Sequence, residues 1–135
     1  MKRLCALALA ACALPALAGP ACPAAQDATQ ADLLGLWRAD FEGAGHVATL
    51  LLTKHPTAEE SFHGTIDRDS ERRQLAGDID TGDLTLEESA DGVHIAATWL
   101  GEVVEGSCAR EIRGTWSAEA APADIRNFVL RKVGD

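Results

Sequence analysis

Six consecutive residues in the middle of the chain have the composition of a calcium-binding loop. Asp78, Asp80 and Asp83 place carboxylates around a Thr81-Gly82 step, and calcium is bound in proteins by carboxylate and carbonyl oxygens. An EF-hand has its glycine at the sixth position, whereas Gly82 is the fifth residue of this string and Asp83 the sixth. The order is wrong for an EF-hand, and a solvated hairpin turn explains the same residues.

Histidine pairs and acid pairs offer two further kinds of chemistry. His63 and His94 could share a metal if their strands were neighbours, but on the strand assignment below they lie in the third and sixth strands. Paired acids of the kind that glycosidases use occur at Glu59-Glu60, Glu87-Glu88 and Glu102/Glu105. The serines lack a Gly-x-Ser-x-Gly context. Because an acidic chain produces acid pairs by chance, we predict no catalytic residue, no metal site and no cofactor.

Residue-by-residue alternation from about Phe62 to Leu130 determines the predicted fold class. Apolar and polar residues alternate with a period of two, which is typical of strands with one buried face. Eight strands are predicted, near 34–41, 46–54, 61–67, 72–80, 83–88, 92–100, 109–117 and 126–132. The face that we expect to be buried includes Val93, Ile95 and Trp99 and carries no titratable side chain. Such an interior lacks the converging polar groups that catalysis needs.

Short strands joined by tight turns indicate an all-β fold, an antiparallel up-and-down meander of about eight strands. Gly64, Gly77 and Gly114 fall on the inward face, where glycine lets a sheet bend sharply and close. The inward aromatic residues are bulky, and they comprise Trp37, Phe41, Phe62, Trp99, Trp116 and Phe128. Eight strands enclose space for side chains or one small ligand, so the sequence predicts a small, largely filled β-barrel. Residues 28–34 are expected to form a short helical turn leading into the first strand.

The first 18 residues have the pattern of a signal peptide. Lys2 and Arg3 precede an apolar run at 4–14, and small residues flank Leu17 ahead of a cleavage site after Ala18. The run is shorter than the ~20 residues that span a bilayer. A second interpretation remains open, because Leu9-Ala10-Ala11-Cys12 resembles the lipobox of bacterial lipoproteins, in which the cysteine is acylated and anchors the chain.

These patterns divide the chain into a signal peptide (1–18), an N-terminal arm (19–32) and a barrel domain (33–135). The protein is therefore expected in the periplasm or outside the cell. Cys22 and Cys108 remain after cleavage, and two cysteines in an oxidising compartment are expected to pair. This disulfide would tie the arm to the barrel wall.

The mature chain is expected to be strongly acidic. Cleavage after Ala18 leaves 117 residues. It removes two of the 12 basic residues and none of the 21 acidic ones, so the mature chain has ten basic and 21 acidic residues and a net charge of −11. Such a surface repels nucleic acids and anionic lipids and attracts cationic proteins.

The predicted second strand departs from the alternation. Residues 47–52 are apolar on both faces apart from Thr49, and Leu34 and Leu36 also fall on the outward face of the first strand. The N-terminal arm folding over this region is the interpretation we favour. The other is an exposed apolar surface, used for a homodimer through Leu34, Leu36, Leu50 and Leu52.

Gly35-Leu36-Trp37, at the start of the first strand, resembles the Gly-x-Trp motif of calycins, the group that includes lipocalins, fatty-acid-binding proteins and avidins. The resemblance implies a small antiparallel barrel with a binding role. It also implies that a basic residue of the last strand packs over Trp37, and Arg131 is the matching candidate.

The predicted function is non-enzymatic binding at the cell envelope. In the main hypothesis the barrel holds a small apolar ligand near Trp37, Trp99 and Trp116. For Trp99 taken alone, a core position is the interpretation we favour over a ligand contact. One alternative is an acidic inhibitor or binder of a basic envelope protein such as a cell-wall hydrolase. The other is a structural lipoprotein anchored through Cys12.

Overall fold

Eight antiparallel strands close into a barrel in the computed structural model of the protein. The structure describes residues 21–43, 45 and 47–134. The predicted signal peptide, its cleavage after Ala18 and the alternative anchor at Cys12 lie outside the described residues. Within the described ranges, no helix has the length and apolar character needed to cross a membrane.

The order of elements matches the predicted up-and-down meander. A turn of 3₁₀ helix (Ala25–Asp27) and the short helix α1 (Gln30–Leu33) precede the strands. The strands are β1 (Gly35–Phe41), β2 (Val47–Lys54), β3 (Ser61–Arg68), β4 (Glu71–Asp80), β5 (Asp83–Ser89), β6 (Ala97–Val103), β7 (Glu111–Ala118) and β8 (Ala121–Lys132). Each strand pairs with its neighbours in sequence, and β8 pairs with β1 to close the barrel. The predicted all-β, eight-stranded barrel is confirmed.

One end of the barrel, which we call the arm end, is covered by the N-terminal arm. Thr29 caps α1 through the Asp32 carboxylate, which accepts hydrogen bonds from the Thr29 hydroxyl at 2.8 Å and its N–H at 2.9 Å. Leu33 is fully buried, and the buried Gln30 amide donates to the carbonyl of Ser61. The backbone N–H of Ala25 donates to Glu105 Oε2 at 2.9 Å. These contacts place the arm and α1 across the barrel opening.

The predicted pairing of Cys22 with Cys108 is present. Their Sγ atoms lie 1.97 Å apart, and Cys108 belongs to the loop at 104–110 that joins β6 to β7 at the arm end. The cross-link therefore joins the start of the arm to the barrel wall, as expected.

Three strand glycines allow the sheet to curve tightly. A Cβ built on Gly64 would lie 2.2 Å from the carbonyl oxygen of Leu51, and one on Gly77 or Gly114 would lie 1.9 Å from the carbonyl oxygens of Thr85 or Leu100. Atoms cannot approach so closely, so no side chain fits at these positions. Glycine here lets neighbouring backbones come together where the barrel bends.

The sixth strand begins later than predicted. Val93 and Ile95, expected to point inward, lie in the loop between β5 and β6 and are 79% and 44% exposed. The backbone N–H groups of Val93 and His94 both donate to Asp91 Oδ1 at 2.8 Å. This local bonding to a side chain replaces strand pairing, which alternation alone does not reveal.

The apolar residues of β2 divide between the two faces of the barrel. Leu50 and Leu52 are buried in the core, so they cannot form the predicted dimer surface. Leu34 also packs against the core. Leu36 and Leu51 face outward and remain 40% and 42% exposed. The favoured explanation, that the arm covers this face, is therefore wrong, because the arm crosses the arm end instead.

The basic residue beside Trp37 is Lys132, and the assignment to Arg131 is wrong. Because Leu130 points inward, Arg131 points outward, where it forms ion pairs at 3.4 Å with Asp40 and Glu111. Lys132 pairs with Trp37 in the β1–β8 register, and its Nζ donates to the carbonyl of Asp32 in α1 at 2.6 Å. Trp37 Nε1 donates to the carbonyl of Leu33 at 2.8 Å. The two side chains fasten α1 to the barrel.

Candidate functional site

A buried carboxylate stands at the end of the barrel opposite the arm, which we call the far end. Glu88 is fully buried. Its Oε1 accepts hydrogen bonds from Arg68 Nη1 at 3.0 Å, Trp99 Nε1 at 2.8 Å and Trp116 Nε1 at 2.9 Å, and its Oε2 accepts one from Arg68 Nη2 at 3.0 Å. Arg73 Nη1 lies 3.6 Å from Oε2. We call these five residues the Glu88 cluster.

The cluster corrects the prediction that the inward face carries no titratable side chain. Leu84 and Leu86 are buried on β5, and the same alternation places Glu88 inside the barrel. Arg68 and Arg73 likewise continue the inward alternation of β3 and β4. The alternation therefore predicts inward positions for these three residues, whereas their charge favours positions on the surface. A buried charge is tolerated when it is paired and hydrogen-bonded, and the cluster provides both.

Trp116 connects the cluster to solvent. The side chain is partly buried and packs against the core. The guanidinium carbons of Arg68 and Arg126 lie 5.3 Å and 5.6 Å from its ring centroid, within the range of cation–π attraction. The Phe41 ring meets the Trp116 ring edge-on, with centroids 6.0 Å apart. With its Nε1–H bonded to Glu88 as well, the indole is held in one orientation.

A small cleft opens beside this indole. It has a volume of about 90 Å³ and is lined by Phe41, Arg68, Asp69, Trp116 and Arg126. Pockets that enclose drug-sized ligands measure roughly 300–1,000 Å³. The cleft therefore has room for one small ring or the end of a larger molecule, but not for a whole lipid.

The structure separates the three tryptophans that the sequence proposed as a ligand site. Trp99 and Trp116 are cross-strand partners and share Glu88 Oε1. Trp37 lies at the arm end beside α1. Trp37 and Trp99 are fully buried, and Trp99 packs against Phe128 with ring centroids 4.8 Å apart. Of the three, Trp116 is the one that lines the cleft.

The acidic string at 78–83, whose composition resembles a calcium-binding loop, forms a hairpin. Asp78 and Asp80 are exposed on β4, Thr81 and Gly82 make the turn, and Asp83 begins β5. Gly82 has a φ of +85°, and a Cβ there would lie 2.7 Å from the carbonyl oxygen of Ala25. Across the described ranges, no group of three His, Cys, Asp or Glu side chains is arranged to hold a metal ion.

His63 and His94 both line a groove of about 230 Å³ on the outer face of β3, β4 and β5. The His63 ring contacts His55, with centroids 4.3 Å apart, and His94 Nδ1 lies 2.6 Å from Asp91 Oδ2. Hydrogen bonds from His94 hold the pKa of Asp91 well below its usual range, and the same carboxylate raises the pKa of His94. The Asp91–His94 pair thus orders the loop that borders the groove.

The acid pairs suggested by the sequence do not act as pairs. Glu87 points outward while Glu88 points inward, since consecutive strand residues face opposite sides. Glu59 and Glu60 are exposed in the loop before β3. Glu105 holds the arm through Ala25.

Three carboxylates lie in register on the outer wall near the arm end. Asp80 is the cross-strand partner of Asp83, and Asp83 is the partner of Glu102. Like charges directly opposite one another destabilise a sheet. We call these residues the acidic row.

No family model matches the chain, and the search of curated proteins found no match. The barrel agrees with the architecture that the calycin resemblance implied, and membership of that group stays a prediction.

Proposed function

We propose that the protein is a non-enzymatic binding module of the bacterial cell envelope, which receives a flat apolar group of a small ligand in the far-end cleft. The observation that carries the proposal is the partly exposed Trp116, oriented by the Glu88 cluster and lining the cleft with Phe41. A pre-oriented aromatic surface binds a flat group without the loss of side-chain freedom that otherwise opposes binding.

The packing of the barrel supports this location rather than a central cavity. Trp37, Phe62, Trp99 and Phe128 fill the interior and are buried. A ligand in the centre would have to displace them, and large rearrangements of a packed core are costly. The cleft needs no such rearrangement.

The size of the cleft sets the expected affinity. A single-ring ligand of about nine non-hydrogen atoms, at roughly −0.5 kcal/mol per atom, gains about −4.5 kcal/mol. This corresponds to a dissociation constant near 1 mM, within about a factor of three. Tight binding would require a larger molecule that extends beyond the cleft.

Nuclear magnetic resonance of the indole N–H groups tests the proposal, because each of the three tryptophans gives one signal. We expect benzyl alcohol, benzamide or benzoate, added to about ten times the expected dissociation constant, to shift the Trp116 signal and leave the Trp37 signal unchanged. Trp116→Phe and Trp37→Phe variants assign the signals. A probe that shifts Trp37 alone, or no shift at all, contradicts the proposal.

Export is part of the same proposal and has its own test. The paired cysteines Cys22 and Cys108 suit an oxidising compartment. Intact mass of the protein from its bacterial host should correspond to a chain that begins at Gly19 and has lost two hydrogens. A mass that begins at an acylated Cys12 would support the lipoprotein alternative instead.

The acidic row favours a second candidate, an inhibitor or binder of a basic envelope protein. Three carboxylates in register destabilise the sheet, and a cationic partner would relieve their repulsion. Inhibition of a basic cell-wall muramidase should then weaken steeply between about 0.05 and 0.5 M salt, where screening becomes strong. It should also be lost in the Asp80→Asn/Asp83→Asn/Glu102→Gln variant and kept in Glu119→Gln. Absence of inhibition at low salt would exclude this candidate for that enzyme.

A further inference from the structure

Two arginines flank the ring that lines the cleft, and they differ in how their charges are used. Arg68 directs two of its five N–H donors to the buried Glu88 carboxylate, and its side chain is 18% exposed. Its charge is therefore matched inside the barrel. Arg126 lies on β8, two residues before the buried Phe128, and its side chain is 44% exposed.

The guanidinium of Arg126 is available to bind a charged group of a ligand. Among the described residues it forms an ion pair with Asp124, whose Oδ2 lies 3.6 Å from Nη2, a distance longer than a hydrogen bond. Its guanidinium carbon lies 5.6 Å from the Trp116 ring centroid. A ligand that enters the cleft to contact Trp116 therefore comes within reach of this guanidinium.

The charges around the cleft limit the class of ligand. A guanidinium binds a carboxylate through two parallel hydrogen bonds in one plane, and that plane suits a carboxylate attached to a flat ring. Because the charge of Arg68 is matched by Glu88, the guanidinium of Arg126 is the one that disfavours a cationic ligand beside the Trp116 ring. Arg126 offers one guanidinium plane, which matches a single carboxylate.

We propose that the far-end cleft selects a planar monoanion, a single aromatic ring that carries one carboxylate, and that Arg126 recognises the carboxylate while Trp116 and Phe41 contact the ring. This inference rests on the proposed function, since it names the chemistry of the ligand at that site. Selectivity for an anionic over a neutral ligand is thereby assigned to Arg126, a residue of the predicted last strand for which the sequence suggested no role.

Benzoate and benzamide form a matched pair of probes, because they share size and flatness and differ in charge. Binding is followed by the indole signal of Trp116 in the wild type, in Arg126→Gln and in the control Arg72→Gln. Arg72 is exposed on β4 and is paired with Asp67, away from the cleft. We expect benzoate to bind the wild type and Arg72→Gln about tenfold more tightly than benzamide, as a charge-assisted contact provides. In Arg126→Gln the ratio should fall below about threefold, through loss of benzoate affinity alone.

The outcomes separate this inference from the proposed function. If both probes shift Trp116 with equal affinity, or if benzylammonium binds more tightly than benzoate, the anion selectivity is refuted and the proposed site stands. If Arg126→Gln lowers the affinities for benzoate and benzamide by the same factor, Arg126 does not distinguish the charged ligand from the neutral one. If neither probe shifts Trp116, the proposed function fails as well. Unchanged Trp37 and Trp99 signals in Arg126→Gln show that the variant is folded.

Discussion

Replacement of Glu88 by glutamine is the perturbation with the largest expected effect on the far end. The amide keeps one oxygen for the indole N–H groups of Trp99 and Trp116, but its NH₂ then faces Arg68 Nη2, where a donor meets a donor. Arg68 also loses the counter-charge that it holds with two hydrogen bonds of 3.0 Å.

The magnitude follows from the burial of the pair. Removing one partner of a buried ion pair costs about 3–5 kcal/mol. Glu88 is fully buried, but Arg68 and Arg73 keep 18% and 25% exposure and regain part of their hydration. We therefore expect Glu88→Gln to lower the free energy of unfolding by about 3 kcal/mol. With a urea m-value of about 1.5 kcal/mol/M, the unfolding midpoint falls by about 2 M.

Urea unfolding of the oxidised protein, followed by tryptophan fluorescence, measures this change. The matched control is Glu87→Gln, which removes the same charge from the neighbouring residue on the outward face of β5. We expect the control to change the free energy of unfolding by less than about 0.5 kcal/mol. If Glu88→Gln were as stable as Glu87→Gln, the buried carboxylate would contribute nothing to stability that an amide cannot replace, and the expected role of the ion pair would be wrong.

Three further predictions concern the loop after β5, the arm end and the disulfide. The Asp91→Asn variant should return the pKa of His94 from its raised value toward 6.5, as followed by the imidazole proton shifts; an unchanged pKa would show that Asp91 is not its cause. The pKa of Asp91 is lowered from 3.8 and that of His94 is raised from 6.5, so the charged pair stabilises the folded loop fully between pH 3.8 and 6.5. This stabilisation is lost at lower pH as Asp91 is protonated and at higher pH as His94 loses its proton. The protection factors of the loop amides, which are their exchange rates corrected for the intrinsic dependence on pH, should be largest in that window. Lys132→Met should destabilise the fold by about 1.5 kcal/mol through loss of the charged donor to Asp32, whereas Arg131→Gln should cost less than about 0.5 kcal/mol; the reverse order in thermal unfolding would contradict the assignment. Reduction of the Cys22–Cys108 bond, which spans a separation of 86 residues, should lower stability by about 4.5 kcal/mol, and equal urea midpoints with and without reductant would contradict it.

The sequence was sufficient for the barrel because one physical rule governs most of its strands. Alternation with a period of two places Leu84, Leu86, Ile112 and Leu130 inside, and all four are buried. The rule fails at Val93 and Ile95, where the Asp91 carboxylate supplies the hydrogen bonds that a strand would otherwise make. Such local bonding depends on the loop geometry, which alternation does not describe.

The candidate site was harder to predict because its residues break the expected relation between charge and burial. Alternation alone would have placed Arg68, Arg73, Glu88 and Arg126 on the inward faces of four different strands. The contacts of Arg68 and Glu88 with Trp116 depend on the curvature of the barrel, which brings residues of β3, β5 and β7 together although these strands are not neighbours. Trp116 was predicted correctly as inward-facing, but its exposure to the cleft depends on the position of β7 relative to the barrel rim.

A crystal structure of the mature protein with 4-bromobenzoate would show where this ligand binds, because bromine gives an anomalous signal at one atom. We predict one strong peak in the far-end cleft, with the ring against Trp116 and Phe41 and the carboxylate against the Arg126 guanidinium. A peak inside the barrel beside Trp37, or in the outer groove beside His63, would contradict it.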